Sequence, residues 1–387
     1  MRKSPSQKPK LNNRTVYLLT QSYLVTDGSR EQYSGLQRYV RQLTCLFCDH
    51  GFSCIVMQKA DRDFDIQFRP GVRVIGIEAK PQAWADPFFN YRAHAVIPVG
   101  APVVYCLVEL TYPCARPKSI AVQHGIWWDG EFALWKRRWI EWLNQRAIQK
   151  TGGIICVDTN YINWALQNLR NYPLTLHKCH YVPNFVDPQV FCRTPDTQYR
   201  NGGMTVLFPR RCEEKRGASI FLDACLKLWD KGKMFRAVFC GWGSMQHAIQ
   251  ARINETPYAD RIRVIDVPFD GMAAVYRQSD LVVIPTVRHE GTSLSCIEAM
   301  YMGKPVIVTY VGGLPNLVIP GCNGEVVPPL VDELADAIAR LHDNEDLRRC
   351  YASNARRMAE PFVIERWRAS LWGVISLFLL EPQPEGN

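Results

Sequence analysis

Glu290 and Glu298 are the side chains with the most chemistry on offer. Seven residues separate them, across the junction between an apolar run at 281–284, closed by Pro285, and a helical pattern that begins near Ser293. A helix entered from a strand end points its first unbonded N–H groups away from the strand's carboxyl edge. Together with the helix dipole they form a seat for a phosphate. Thr292, Ser293 and Leu294 stand at that start, and the first two can add hydroxyl donors. Two acids near a helix start also simply complement its dipole, so the pair alone leaves both interpretations open. Three further spots fall at strand ends: the basic turn FPRRCEEKRG at 208–217, Ser34-Gly35 and His124-Gly125. Each is equally readable as a turn with no ligand: a solvated basic loop, a turn glycine, a structural histidine.

The elements that must position these residues repeat in one pattern. Apolar runs at 16–20, 53–58, 103–108, 120–122 and 154–157 alternate with helical stretches such as 36–50. After a polar stretch at 193–203 a second series follows, at 205–208, 237–240, 263–265, 281–284 and 305–309. Alternation of this kind implies parallel βαβ units, and strands apolar at nearly every position imply sheets covered on both faces. The expected fold class is therefore α/β: two Rossmann-like domains, at 15–195 and 203–362, behind a basic arm at 1–14. At about 150 residues per domain, 387 residues suit that division. Ligands of such sheets bind beyond the carboxyl ends of the strands, where all the residues above lie.

The segment 281–329, LVVIPTVRHEGTSLSCIEAMYMGKPVIVTYVGGLPNLVIPGCNGEVVPP, resembles the carboxyl-terminal domain of retaining glycosyltransferases of family 4, which have the GT-B fold and two Glu separated by seven residues. Glu298-Ala299-Met300, Gly303-x-Pro305-Val306 and Gly312-Gly313-Leu314-Pro315 stand in that family's order and spacing. Ser293 stands where the family usually has Gly, and Thr292 where an aromatic is frequent. The 208–217 turn resembles the family's Gly-Arg-x4-Lys-Gly loop. Registering on Gly217 pairs Arg211 with Arg216, and the alternative at the same spacing pairs Arg210 with Lys215. SGLQR at 34–38 resembles its Gly-rich loop, with Ser34 in place of one Gly. AVQHG at 121–125 resembles the place of a His that reaches the transferred sugar. Residues 181–191 are similar to its Pro-Asn-Gly-Val-Asp segment, with Phe185 for Gly and Asn184 shaping the cleft floor.

The resemblance is strongest over 183–362 and carries several expectations. The donor is a nucleotide-diphosphate sugar, its phosphates lying among Gly35, Arg211, Lys215, Arg216 and the helix start at Thr292, Ser293 and Leu294. Glu298 holds the ribose, while Glu290, His124 and Arg211 serve the reaction. Transfer is of a hexosyl-type sugar with retention, needing no obligatory cofactor or metal, and goes to a glycan or lipid-linked acceptor in cell-surface polysaccharide or glycolipid synthesis. A terminal helix at 363–380 returns to the first domain. A nucleotide-sugar epimerase of the same architecture and an inactive nucleotide-sugar-binding scaffold are the rivals.

Composition narrows the field further. The chain has 46 basic and 37 acidic residues, a balance of +9, of which Arg2, Lys3, Lys8, Lys10 and Arg14 supply five. The remaining +4 argues against nucleic acid as a partner. Gly241-Trp242-Gly243 lacks the third Gly of a dinucleotide fingerprint, Gln246 standing there, and the P-loop pattern is absent. Asp61-Arg62-Asp63 reads as an exposed charged turn rather than a metal motif. Of the 14 Cys, Cys54, Cys106, Cys156 and Cys240 lie in apolar runs as small hydrophobes, and Cys45-x-x-Cys48 has no companion pair at zinc spacing. The start of the chain is too short in apolar residues for a secretory signal, so a cytoplasmic location is expected, including the inner face of the plasma membrane. Trp135, Trp139 and Trp142 recur at helical spacing among Lys136, Arg137, Arg138, Arg146 and Lys150. Such a helix either covers a core or meets an anionic membrane, and the resemblance favours peripheral membrane contact.

Overall fold

Val16, Leu18 and Leu19, like Val206, Leu207 and Phe208, are buried to the last ångström, as strands apolar on both faces require. The computed structural model describes residues 14–79, 85–128, 133–192 and 203–380. The expected basic arm, apart from Arg14, most of the polar stretch at 193–203 and the tail from 381 lie outside the described residues.

The first lobe is built on β1 (Thr15–Thr20), β2 (Ser53–Ala60), β3 (Phe64–Arg69), β4 (Val72–Glu78), β5 (Val103–Tyr105), β6 (Ser119–Gln123), β7 (Gly153–Cys156) and β8 (Cys179–Tyr181). They form one eight-stranded sheet in the order β3-β4-β2-β1-β5-β6-β7-β8. Every pairing is parallel except β3 with β4, an antiparallel edge hairpin turned through Pro70 and a left-handed Gly71 at φ 76°. The second lobe carries β9 (Met204–Phe208), β10 (Phe235–Cys240), β11 (Ile262–Ile265), β12 (Leu281–Ile284), β13 (Val306–Thr309) and β14 (Gly324–Val327). Its six strands run in the order β11-β10-β9-β12-β13-β14, all parallel. Both orders reverse direction beside the first strand of their lobe, and the crevice at such a switch point is where these sheets take ligands.

The chain crosses between lobes twice. After β8 it passes Val186, whose N–H donates to the Phe362 carbonyl at 2.8 Å, while Ile364 N–H donates back to Val186 at 2.9 Å. The helix Ile364–Ile375 then lays Trp367, Leu371 and Ile375, with Leu379 beyond, into the first lobe's core beside Tyr39, Leu43 and Phe47. Cys54, Cys106, Cys156 and Cys240 are buried free thiols. The Asp61-Arg62-Asp63 turn joins β2 to β3, with Asp63 paired to Arg92 at 2.7 Å. In the helix Leu134–Lys150, Ile140, Leu143, Ala147 and Ile148 face the core. Trp135 is 73% exposed, and Trp139 and Trp142 are partly exposed, stacked on each other and packed against Tyr112. The tryptophans thus form a second, outward stripe rather than the core stripe.

Candidate active site

β12 ends at Ile284, and the loop 285–293 turns into the helix Leu294–Tyr301. Close packing builds this turn. A Cβ on Gly217, itself left-handed at φ 79°, would lie 1.9 Å from the Pro285 carbonyl oxygen, and one on Gly312, at φ 55°, would lie 1.8 Å from the Glu290 carbonyl oxygen. Gly313 N–H donates to that same carbonyl at 3.1 Å. The loop is thereby pressed between the basic turn on one side and the Gly312-Gly313 turn on the other.

Glu290, 8% exposed, is gripped by one oxygen. Its Oε2 accepts from Arg210 Nη2, from Arg216 Nη1 at 2.8 Å and from the Thr286 hydroxyl at 3.0 Å. Its Oε1 has no hydrogen-bond partner among the described residues. Glu298, buried on the helix, accepts from Arg38 Nη1 at 2.7 Å and from the Tyr276 hydroxyl at 3.1 Å. Arg38 reaches it from the other lobe, with its guanidinium 3.9 Å over the Phe269 ring. Gly35 stands one helical turn before Arg38, and a Cβ on it would meet Leu294 Cδ1 at 3.4 Å, so the Gly-rich loop lies directly against the helix start. A cavity of about 510 Å³ opens beside them, walled by Tyr33, Gly35 and Arg38 from one lobe and by Trp242, Asp266 and Phe269 from the other. That volume suits a nucleotide-sized ligand.

His124, at the end of β6, holds its Nε2 3.0 Å from the Cys106 carbonyl, and Tyr39 meets its ring edge-on at 4.9 Å. A carbonyl can only accept, so Nε2 carries the proton and Nδ1 keeps its lone pair. Burial lowers the imidazole's proton affinity to a pKa of about 4, against a smaller opposing effect of the Cys106 bond, so the ring is neutral at physiological pH. The lobes meet tightly here: a Cβ on Gly291 would lie 2.4 Å from the His124 carbonyl oxygen. Thr292 donates its hydroxyl to the Val157 carbonyl of the first lobe, and its own carbonyl accepts from Asn184 Nδ2 at 2.7 Å.

The sequence-derived residues do not all converge. Glu290, Glu298, Gly35, Arg216, Ser293 and Leu294 come together around the helix start. The Thr292 hydroxyl is committed to the lobe contact instead. Arg211 and Lys215 are partly exposed and pair with Glu213 at 3.1 and 3.3 Å, Arg211 also facing Trp242, while Arg210 occupies the interior beside Glu290. Neither register of the basic turn describes this, since the inward side chains are Arg210 and Arg216. Sequence reasoning offered Arg210 only in the alternative register, and missed Arg38, Thr286, Tyr276 and Asp158. Asp158, just past β7, caps the helix Thr159–Asn168 by accepting from Tyr161 N–H at 2.9 Å. Its Oδ2 is buried with no hydrogen-bond partner among the described residues. Burial and the Glu290 charge raise its pKa to about 6 despite the cap bond. Only its place at a strand end hinted at it.

Comparison with known proteins adds the context. Residues 196–358 match the family described as Glycosyl transferases group 1. Alpha-D-kanosaminyltransferase of Streptomyces kanamyceticus is 25% identical over 223 residues, covering 56% of this chain and 57% of that protein. The chain spans about half the length of the curated relatives it matches. Among solved structures, sucrose-phosphate synthase from Thermosynechococcus elongatus superposes with a TM-score of 0.77 at 17% identity, covering 94% of this chain and 98% of that one. HepE from Anabaena, in complex with UDP-glucose, gives 0.71 at 17% identity, covering 94% and 99%. The second lobe, which builds the helix start, thus matches the group 1 glycosyltransferase family, and the architecture of both lobes is that of the GT-B fold.

Proposed function

We propose that the chain moves a hexosyl-type sugar from a nucleotide-diphosphate sugar to a glycan or lipid-linked acceptor, with retention of configuration and no obligatory metal, in cell-surface polysaccharide or glycolipid synthesis. The single observation that carries this is Glu290, fixed through Oε2 by two arginines and a hydroxyl while Oε1 is left for a ligand beside a helix start. The relatives named above support it: the Anabaena protein was solved with UDP-glucose, and the Streptomyces protein is a sugar transferase.

In this reading the nucleoside enters the cavity between Phe269 and the Gly35 loop, and its ribose takes Glu298. The diphosphate lies against Gly35, Arg216 and the N–H groups after Ser293, with Arg211 and Lys215 at the rim. Glu290 Oε1 and the neutral Nδ1 of His124 accept hydrogen bonds from sugar hydroxyls, which orients the anomeric carbon. The bond from that carbon to the phosphate breaks and its electron pair stays on the phosphate oxygen. The acceptor oxygen bonds the carbon on the same face, and its proton passes to the departing phosphate. Fixed cations stabilise the charge that grows there. The close contact of Gly291 with His124 would exclude water during transfer. The membrane-facing candidate is the Trp135 stripe, through which the enzyme would meet a lipid-linked acceptor at the inner face of the plasma membrane, from the cytoplasmic side.

The test is nucleotide release from UDP-, GDP-, ADP- and dTDP-sugars, with and without a membrane-lipid extract. Extract-dependent release from one donor supports transfer to a lipid-linked acceptor. Conversion of the donor with no acceptor present would mean an epimerase, and binding without turnover a scaffold.

A further inference from the structure

Arg38 stands where the nucleoside should go. It leaves the first turn of the helix Gly35–Asp49 and crosses the cleft, its Nη1 donating to Glu298 Oε1 at 2.7 Å and its guanidinium lying 3.9 Å over the Phe269 ring. The other Glu298 oxygen accepts from the Tyr276 hydroxyl at 3.1 Å. One side chain of the first lobe thus covers both the carboxylate that the reading above gives to the ribose and the aromatic wall of the cavity. Among the described residues this is the one ion pair that joins the lobes. Gly291 with His124 and Asn316 with Thr159 join them at the ends of β6 and β7, and Arg38 joins them on the β1 side of the sheet.

Nothing local holds the guanidinium there. A cation in the first turn of a helix faces the positive end of the dipole, and this turn carries no acid to offset it. The pull comes from the opposite lobe. Glu298 is only 3% exposed, and without Arg38 its Oε1 would keep no hydrogen-bond partner among the described residues. A buried carboxylate left half-satisfied is costly, so the pair forms whenever the lobes meet and no ligand supplies donors. The bond is still of a kind that exchanges, since it uses one N–H rather than a two-pronged fork and comes from a half-buried side chain. Ribose hydroxyls donate to a carboxylate in the same way. A nucleoside therefore has a side chain to displace and the groups with which to replace it.

We propose that Arg38 is an autoinhibitory latch: in the nucleotide-free protein it occupies the nucleoside seat from the opposite lobe, and a nucleotide must displace it from Glu298 to bind. This rests on the nucleotide-sugar reading above and adds to it a competitor built into the first lobe. Only molecules with the latch open are competent, so the affinity of every nucleoside-bearing ligand is lowered by the fraction that is open. A ligand without a ribose meets no such competitor. Inorganic pyrophosphate, which would take only the seat at the helix start, is that ligand. Removing the guanidinium then has an effect opposite to the removal of an ordinary binding residue, because the nucleotide gains where the latch is lost.

The experiment is calorimetric titration of the intact protein with UDP, GDP, ADP, dTDP and inorganic pyrophosphate, for wild type, Arg38→Gln and Arg38→Lys. Arg38→Gln should bind the preferred nucleotide about fivefold or more tighter than wild type, the low end of the usual coupling between linked sites, while pyrophosphate stays within about twofold. Binding of a nucleotide by this variant where wild type shows none supports the proposal equally. Arg38→Lys keeps the charge but not the planar group that lies over Phe269, so it should fall between the two, and it decides the matter if the Gln variant does not fold. A merely structural role for Arg38 predicts loss of affinity, never gain. Unchanged or weaker nucleotide binding by the variants overturns the proposal while leaving the donor reading intact. Equal tightening of pyrophosphate overturns it too, by placing the effect outside the nucleoside seat. Failure of wild type and both variants to bind any nucleotide overturns the donor reading and this proposal together.

Discussion

Glu290 presents one oxygen because the other is saturated, and this asymmetry makes a sharp expectation. Glu290→Gln should lower turnover about 10²–10³-fold, the range seen when a transition-state hydrogen bond is lost. Nucleoside diphosphate binding should persist or tighten, because Arg210 and Arg216 lose their internal anion; unchanged turnover would sink the assignment. His124 makes a pH prediction. Its folded pKa, about 4, lies below the ordinary 6.5, so its contribution to stability is present above pH 6.5 and is lost as pH falls toward 4. At pH 5 the cost is about 1–2 kcal/mol, and His124→Asn should narrow the gap between melting temperatures measured at pH 5 and pH 7. At this scale the sequence was only partly legible. The two acids and the histidine could be found because spacing and strand ends are local properties. Which of Arg210 and Arg211 turns inward could not, because it depends on how Gly217 lets the loop press against Pro285. Arg38 on Glu298 was illegible for a different reason: the two are joined only when the lobes are set face to face.

The corner after β7 and the turn at Gly291 are the elements where the lobes seal. A methyl group on Gly291 has nowhere to go except against the His124 carbonyl, so Gly291→Ala should hold the cleft ajar. Turnover should drop about a hundredfold or more with the melting temperature nearly unchanged, and nucleotide binding to the second lobe should survive; a normal rate would show that this contact is not needed. Asp158 belongs to the same corner, beside Thr159, whose hydroxyl accepts from Asn316 Nδ2 at 2.8 Å. Its folded pKa, about 6, lies above the ordinary 3.8, so the stability it gives is present below pH 3.8 and is gone above pH 6. Asp158→Asn keeps the helix cap and removes the buried charge. It should raise stability at pH 7.5 by about 2 kcal/mol and change little at pH 4, as followed by thermal melting. The alternation of strands and helices was readable where parallel strands are buried and apolar at nearly every position, while the parallel strands β4, β8 and β14 went unread, β4 and β8 being only partly buried. The antiparallel β3 went unread too, since Phe64, Ile66 and Phe68 alternate with polar residues on an edge, a pattern that an exposed loop also shows.

At the scale of the whole molecule, the outward stripe of Trp135, Trp139 and Trp142 with Arg137 and Arg138 lies on the first lobe. Replacing Trp135 with Ala and Arg137 and Arg138 with Glu should cut co-sedimentation with phosphatidylglycerol vesicles by about tenfold or more and remove its salt dependence, without altering donor binding. Equal co-sedimentation of variant and wild type would assign the stripe to something other than lipid. The helix Ile364–Ile375 has a consequence of another kind. Trp367, Leu371 and Ile375 close a core whose strands are complete by Tyr181, so a ribosome must add roughly 180 more residues before that core can shut. At about 5–20 residues per second this takes roughly 10–40 s, during which the nascent first lobe carries an uncovered apolar face. The second lobe, finished before that helix emerges, is the part of the chain able to fold as it is made. Refolding from denaturant, where the last-made helix is present from the outset, should therefore aggregate less than synthesis in a chaperone-free translation extract.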